Sequence, residues 1–487
     1  MATSNAIPSE EVYHLHPLGW ETDPKEERFK ISTLDYLSVQ SYNNYALFSR
    51  LNDDQEPNTI KILKAGLERT LSQARHLCGT IEKDPESGHS YVEKRDSTVK
   101  FVVQWLDDDG EQYPSIDEIE QAHFSAVKLG DLNTWSVLPM TYGEKPEANP
   151  DNSPTVAAYK ANFVRGGLVF IMHHHHYSND IMGWTGLTHQ LAENCYATLN
   201  RTEFPPWDPA NLDLSRLTKP DPPKDQMVDG LRAHQRHPDQ RTGISLPFHL
   251  PKSKAAKLKT LATPDNGSWI STYDAFSAFM MRALTRIRAP VFNPDLSSQL
   301  LWAETVDMRR RFHDPPIPPR MQGNVMSAAI NTTAQISMPN PTISEIISDW
   351  LFSKLASYIR ALTNSVTQEG LDQILTMVSI VRDKTTLNIR IDSQPPMSIL
   401  QTDHRDANIT AADFGFGQPI TYRHLLDCVT NGVIIVYPPT AGTGNEDEWC
   451  EFAIFYEKDL AQGLIEDAEW NEYFEGRRLS DAMIGGR

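Results

Sequence analysis

Apolar positions along this chain repeat with two periods, and the switch between them marks its most informative stretch. From Gly166 the run Gly-Gly-Leu-Val-Phe-Ile-Met is bulky and unbroken, as expected of a strand buried on both faces. It leads directly into four histidines, His173 to His176, and ends on Asp180. From Trp184 the spacing becomes helical, with Trp184, Leu187, Leu191, Cys195 and Leu199 on one face. The histidines are therefore expected where a strand hands over to a helix, a place where sites are commonly built.

The same alternation runs through the rest of the chain. After a polar arm, Phe29 to Tyr36 reads as a short strand and turn, and Tyr42 to Phe48 is aromatic-rich. Lys61 to Leu77 carries Leu63, Leu67, Thr70, Leu71 and Ala74 at spacings of three and four, predicting a core-facing helix. Ser90 to Val92 and Lys100 to Trp105 favour strands, Asp107 to Gln112 a solvated acidic turn, and Ala157 to Met172 strand again. Between Phe204 and Pro251 prolines recur among charged residues, so no regular element is expected there. We place a crossover at residues 205–250, dividing the chain into domains 1–204 and 251–487, with strands and helices mixed in each. Beyond it, Ser271-Thr-Tyr-Asp274 opens a helix to about Arg288, and Trp302 to Val306 is a strand. Ile343 to Leu362 and Leu371 to Ile380 read as amphipathic helices, Val433 to Tyr437 and Phe452 to Tyr456 as strands, and Leu460 to Tyr473 as helical.

Composition narrows the functional classes. With 487 residues, 39% hydrophobic and 22% charged, the chain is ordinary globular protein. Its formal charge, 45 basic against 64 acidic residues, is −19, which disfavours nucleic acid as a partner. An anionic ligand then needs a local patch, and the densest basic cluster is Lys252, Lys254, Lys257 and Lys259. Cys78, Cys195, Cys428 and Cys450 are scattered, as reduced structural thiols of a cytosolic protein would be. No signal peptide and no apolar run of about 20 residues is seen, so a cytoplasmic protein without membrane contact is expected.

Zinc fits the histidines poorly: neighbours on a strand alternate faces, and no cysteine or further histidine follows at ligand spacing. No metal is expected. His176 with Asp180 suits general-base chemistry, because a turn at Tyr177-Ser178-Asn179 brings the carboxylate back near the imidazole or fixes the loop that holds it.

Two motifs in fixed order then carry a family resemblance. His176-Tyr-Ser-Asn-Asp180 followed by Gly183, and Asp413-Phe414-Gly415-Phe416-Gly417 further along, resemble the His-x-x-x-Asp and Asp-Phe-Gly-Trp-Gly motifs of the BAHD acyltransferases. The fungal members related to trichothecene 3-O-acetyltransferase are the most similar. Weaker echoes are Leu34-Asp35, Asp307-Met-Arg309 and Gly323-Asn324. Ile181, Phe416 and Gln418 depart from the pattern, and Thr402-Asp403-His404 stands where plant members have Thr-Ser-Trp. The resemblance implies an α/β fold of two chloramphenicol-acetyltransferase-like domains, each a mixed sheet flanked by helices, with a channel between them. It also implies a monomer using acyl-CoA, by default acetyl-CoA, to acylate a small-molecule hydroxyl or amine, with His176 as base. Asp180 would be a structural brace paired with Arg309, and Asp413, Gly415 and Gly417 would brace the domain junction. Thr402 and His404 are the candidates for steadying the oxyanion; Lys252, Lys254, Arg309 and Asn324 are the candidates for contacting CoA. Two other readings stand beside this one. His175-His176 to Asp180 also resembles the pattern of carrier-protein-dependent condensation domains, and the fold could serve binding without turnover.

Overall fold

A computed structural model describes residues 9–84, 89–106, 112–141, 146–230, 235–387, 390–426 and 429–477. Most of the expected acidic turn at 107–112, and Cys428, lie outside the described residues. The first half supplies strands β1 (Ser9–Leu15), β2 (Glu27–Lys30), β3 (Tyr42–Arg50), β4 (Thr80–Lys83), β5 (Ser90–Lys94), β6 (Val99–Trp105), β7 (Ala157–Val164) and β8 (Gly167–His175). The second supplies β9 (Gly243–Leu250), β10 (Trp302–Asp307), β11 (Met326–Ile330), β12 (Ile399–Asp403), β13 (Thr421–His424), β14 (Val433–Tyr437), β15 (Cys450–Glu457) and β16 (Glu475–Gly476).

These strands form two large mixed sheets, ordered β1-β6-β7-β8-β3-β13 and β11-β10-β12-β14-β15-β9-β16, with β2-β5-β4 as a small third. Helices α1 (Glu56–Gln73) and α2 (Ile181–Asn200) cover the first sheet, burying Leu63, Leu67, Leu71, Leu187, Leu191 and Cys195 in one core with Tyr159 and Phe170. On the second, α3 (Lys252–Ala262), α4 (Thr272–Phe292) and α5 (Phe352–Asn364) bury Leu258, Phe276, Met280, Leu355 and Ile359 against Trp302 and Phe452. Burying a side chain of this size contributes roughly 1.5–3 kcal/mol relative to leaving it in water. The faces of the two sheets meet in an aromatic cluster, where Tyr45 stacks on Trp184 at 4.1 Å and Tyr422 meets Tyr437 edge-on at 5.5 Å.

Several sequence expectations are corrected here. The polar arm contains β1, which pairs along its length with β6. Ala157 to Met172 is two strands, because Gly166 adopts φ 75° and turns the chain back on itself. The stretch 205–250, expected to lack regular structure, ends in β9. Pro247 is tolerated there because its carbonyl accepts from Arg477 N at 3.1 Å, so its imide nitrogen faces away from the β15 ladder. The helix expected over 343–362 is broken: a π-turn at Glu345–Asp349 ends before α5, and Arg282 caps the loosened carbonyls of Ile346 and Trp350 at 2.9 and 2.6 Å. Most consequential, β13 leaves the second half and adds to β3, His424 opposite Tyr45, so the C-terminal half completes the first sheet.

Candidate active site

A cavity of about 810 Å³ opens where the two sheets face each other. First-half residues Leu37, Val39, Tyr45 and His176 line it, with Thr305, Arg311, Thr402, His404 and His424 from the second half. Strand β8 delivers its four histidines to the rim, and hydrogen bonds then separate them. His173 Nε2 accepts from Val137 N at 3.0 Å and its Nδ1 pairs with Asn44 at 2.8 Å; His174 Nε2 meets Tyr159 Oη at 3.3 Å. His175 Nε2 donates to Ala148 O at 2.8 Å while Nδ1 accepts from Tyr177 N at 3.1 Å. Burial pushes His173 and His174 down to about 3 and His175 to about 4, so all three are neutral structural groups.

His176 lies one residue past the strand and is the member of the run that lines the cavity. Its N–H donates to Ser41 O at 2.9 Å and its carbonyl accepts from Asn324 Nδ2 at 2.7 Å, which fixes the backbone from both halves of the chain. Nδ1 is buried, so Nε2 is the nitrogen turned toward the cavity. Burial lowers its pKa from the usual 6.5, opposed by its own carbonyl, Asp180 and Asn324. At neutral pH it is therefore an unprotonated imidazole.

Of the two arrangements the sequence allows for Asp180, the structure has the second. Its carboxylate caps α2 through Gly183 N at 2.8 Å, accepts Val325 N at 2.8 Å, and takes a two-pronged bond from Arg309, 2.9 Å on each side. Four donors fill the carboxylate's acceptor sites, leaving none for the imidazole. Gly183 is required here, since a Cβ would lie 2.5 Å from Asn179 Oδ1 and 3.2 Å from Arg309. Asn179 pairs with Gln322 and Gly323 across the same seam, so the loop after His176 is zipped to the segment before β11.

The expected CoA contacts divide. Arg309 is 6% exposed and its guanidinium is spent on Asp180, Asp307 and the carbonyls of Met321 and Gly323, so it is corrected to a purely internal role. Asn324 is corrected likewise: fully buried, it donates to Asp35 Oδ1 at 2.8 Å and to His176 O. Lys252 and Lys254 lie on α3 away from the cavity wall; the first turn of that helix is tied to Asp447, two residues from the cavity residue Trp449.

Thr402 and His404 do line the cavity, from β12 and just beyond it. His404 has no ring nitrogen to spare: Nε2 meets Thr402 Oγ1 at 3.0 Å and Nδ1 meets Tyr422 Oη at 2.9 Å. The direct-donor expectation for it is therefore corrected, and burial, with His176, lowers its pKa to about 3, so the ring is neutral. His424, which the sequence reading missed, is also on the wall, its Nδ1 3.2 Å from Tyr437 Oη. Nothing in its local sequence marks it; only the β13–β3 pairing brings it there. Asp413, Gly415 and Gly417 form the turn that feeds β13 into the first sheet. Asp413 Oδ1 accepts Gly415 N at 2.7 Å, and Gly415, at φ 84°, packs where a Cβ would stand 3.2 Å from Tyr196 Cα.

Two facing sheets, an imidazole presented between them and an aspartate locked by arginine behind it define a class of acyl-transfer enzyme. The chain belongs to the BAHD acyltransferase family, whose transferase model matches residues 21–460. Among particular proteins, it is 66% identical to acetyltransferase FGR3 of Gibberella zeae over 473 residues, 97% of this chain and 95% of that one. Trichothecene 3-O-acetyltransferase TRI101 of Fusarium sporotrichioides is 24% identical over 395 residues, 77% and 81% of the two chains. The crystal structure of F. graminearum TRI101 complexed with coenzyme A and deoxynivalenol has the same fold, with a TM-score of 0.77 at 19% identity over 93% of this chain and 100% of that one. Among the described residues no helix is long and apolar enough to cross a membrane.

Proposed function

We propose that this protein is an acetyl-CoA-dependent acetyltransferase that acetylates a hydroxyl or amine of a small secondary metabolite, with His176 as general base and no acyl-enzyme. The observation that carries the reading is the isolation of His176: of four adjacent imidazoles, it alone faces the cavity and is fixed by backbone contacts from both halves. The names of the relatives support the acetyl donor and the class of acceptor. His176 Nε2 takes the acceptor's proton as the oxygen or nitrogen attacks the thioester carbonyl; the tetrahedral intermediate collapses, and the imidazolium protonates the departing CoA thiolate. Cys78, Cys195 and Cys450 are buried with raised thiol pKa values, and among the described residues no cysteine lines the cavity, which favours direct transfer. Arg311 supports an anionic cosubstrate: it donates to the carbonyls of Thr363 and Val366, whereas Arg309, Arg310, Arg390 and Arg405 each pair with a carboxylate.

Incubation of the protein and a metabolite extract with acetyl-CoA, followed by thiol detection and accurate-mass analysis, tests the reading. Acceptor-dependent CoA release with a product heavier by one acetyl group is expected, and release undiminished in His176→Ala refutes it. The acid limb of kcat/KM gives a second check. A base with a lowered pKa stays unprotonated to lower pH, so the limb should fall below pH 6.5, the ordinary histidine value; a midpoint above 6.5 contradicts the assignment. Lys252 and Lys254 are proposed to attract the CoA phosphates at the outer end of the site. Calorimetry on the Lys252→Ala/Lys254→Ala double variant should show binding about threefold weaker, as exposed charges allow, with a smaller dependence on salt.

A further inference from the structure

Thr402 is tied into a short chain of polar groups that begins deep in the interface between the sheets. Tyr422 is completely buried, surrounded by Tyr45, Trp184 and Tyr437. Among the described residues the single hydrogen bond of its phenol is to His404 Nδ1 at 2.9 Å. A buried phenol proton without an acceptor costs roughly 1–3 kcal/mol, so Tyr422 donates and Nδ1 must be the unprotonated nitrogen. The ring proton is thereby placed on Nε2, 3.0 Å from Thr402 Oγ1, and is donated to it. From the other side Thr305 Oγ1, on the neighbouring strand β10, donates to the same oxygen at 2.9 Å. With Thr305 as the donor both lone pairs of Thr402 are occupied, and among the described residues its own proton meets no further acceptor and turns into the cavity that Thr402, Thr305 and His404 line together with His176.

We infer that Tyr422 and His404 are positioning residues: by fixing one imidazole tautomer they aim the Thr402 hydroxyl at the thioester carbonyl, making Thr402 the oxyanion donor of the reaction. The inference rests on the acetyltransferase reading above and deepens it. A preoriented donor stabilises the negative oxygen of the tetrahedral intermediate without reorganising as the reaction proceeds. It also explains how histidine serves at position 404: the ring contributes by holding a hydroxyl, not by reaching the substrate itself. The neutral state the relay needs is the state burial imposes on His404.

The test is isotope-edited infrared spectroscopy of [1-13C]acetyl-CoA bound to the full chain, compared across Thr402→Val, Thr402→Ser and Tyr422→Phe. A hydrogen bond to the thioester oxygen lowers its carbonyl stretch. Wild type and T402S are expected to show the lowered frequency, T402V the frequency of free acetyl-CoA, and Y422F a position between them, because its imidazole is released to take either tautomer. In turnover, T402V should lose about 10²- to 10³-fold in kcat with KM for acetyl-CoA little changed, and Y422F should lose less. A frequency in T402V equal to that of wild type overturns the donor assignment, and one in Y422F equal to that of wild type overturns the relay. Failure of the wild-type protein to bind acetyl-CoA overturns the acetyltransferase reading itself and the inference with it; binding with an unshifted carbonyl overturns the inference alone.

Discussion

His176→Ala is expected to lower kcat by about 10²- to 10⁴-fold, the usual share of a positioned general base, while acetyl-CoA affinity stays within about twofold of wild type. The two effects separate because an imidazole acting as base is needed only as the acceptor's proton leaves, and its loss takes no charge or hydrogen bond needed for ground-state binding of the cosubstrate. The fold should be undisturbed. His176 is held through its backbone, by Ser41 O and Asn324 Nδ2, and those bonds survive truncation of the ring. Steady-state kinetics beside calorimetric CoA binding decide it: a variant that loses affinity in proportion to kcat, or keeps kcat, removes His176 from the role of base.

Asp180→Ala should act differently, lowering stability and turnover together. The Asp180–Arg309 pair is nearly sealed from water, its side chains 6% and 3% exposed, and deleting Asp180 leaves the buried guanidinium with Asp307 at 3.1 Å as its one remaining carboxylate, at a cost of about 3 kcal/mol, the low end for breaking a buried pair. The same carboxylate caps α2 and holds Val325 N, so its loss also frees the seam between the loop after His176 and the segment before β11. The expected result is a lower midpoint of denaturation with reduced kcat. The double variant Asp180→Leu/Arg309→Met, which removes both charges, should regain much of the stability without the activity. Recovery of full turnover in that double variant would show that the pair has no part in placing His176.

How much of this was legible beforehand follows from the range of the interactions. The strand-to-helix change at His176 is local, written in a run of apolar residues and a switch of period, and the structure has β8 and α2 there. Asp180–Arg309 joins residues far apart in the chain, and resemblance to a family supplied that pairing. By contrast Arg309 and Asn324 are CoA candidates only through the resemblance; burial decides otherwise, and burial is a property of the packed chain. The strand in the proline-rich crossover was hidden because proline is excluded only where its nitrogen must join a ladder, and which side of Pro247 faces a ladder depends on β15 and Arg477.

By itself, then, the sequence determined many of the helices and strands, the two motifs and the hand-over from strand to helix at the histidines, because each depends on residues within a turn or two of one another. Only the tertiary structure decided what those residues can do. It spent three histidines on buried hydrogen bonds and filled every acceptor site of Asp180. It also carried β13 across to the first sheet, so that Tyr422 stands behind His404 and His424 joins the wall. The last of these contacts joins segments hundreds of residues apart, whose meeting is fixed by the register of the first sheet and leaves no periodic trace along the chain.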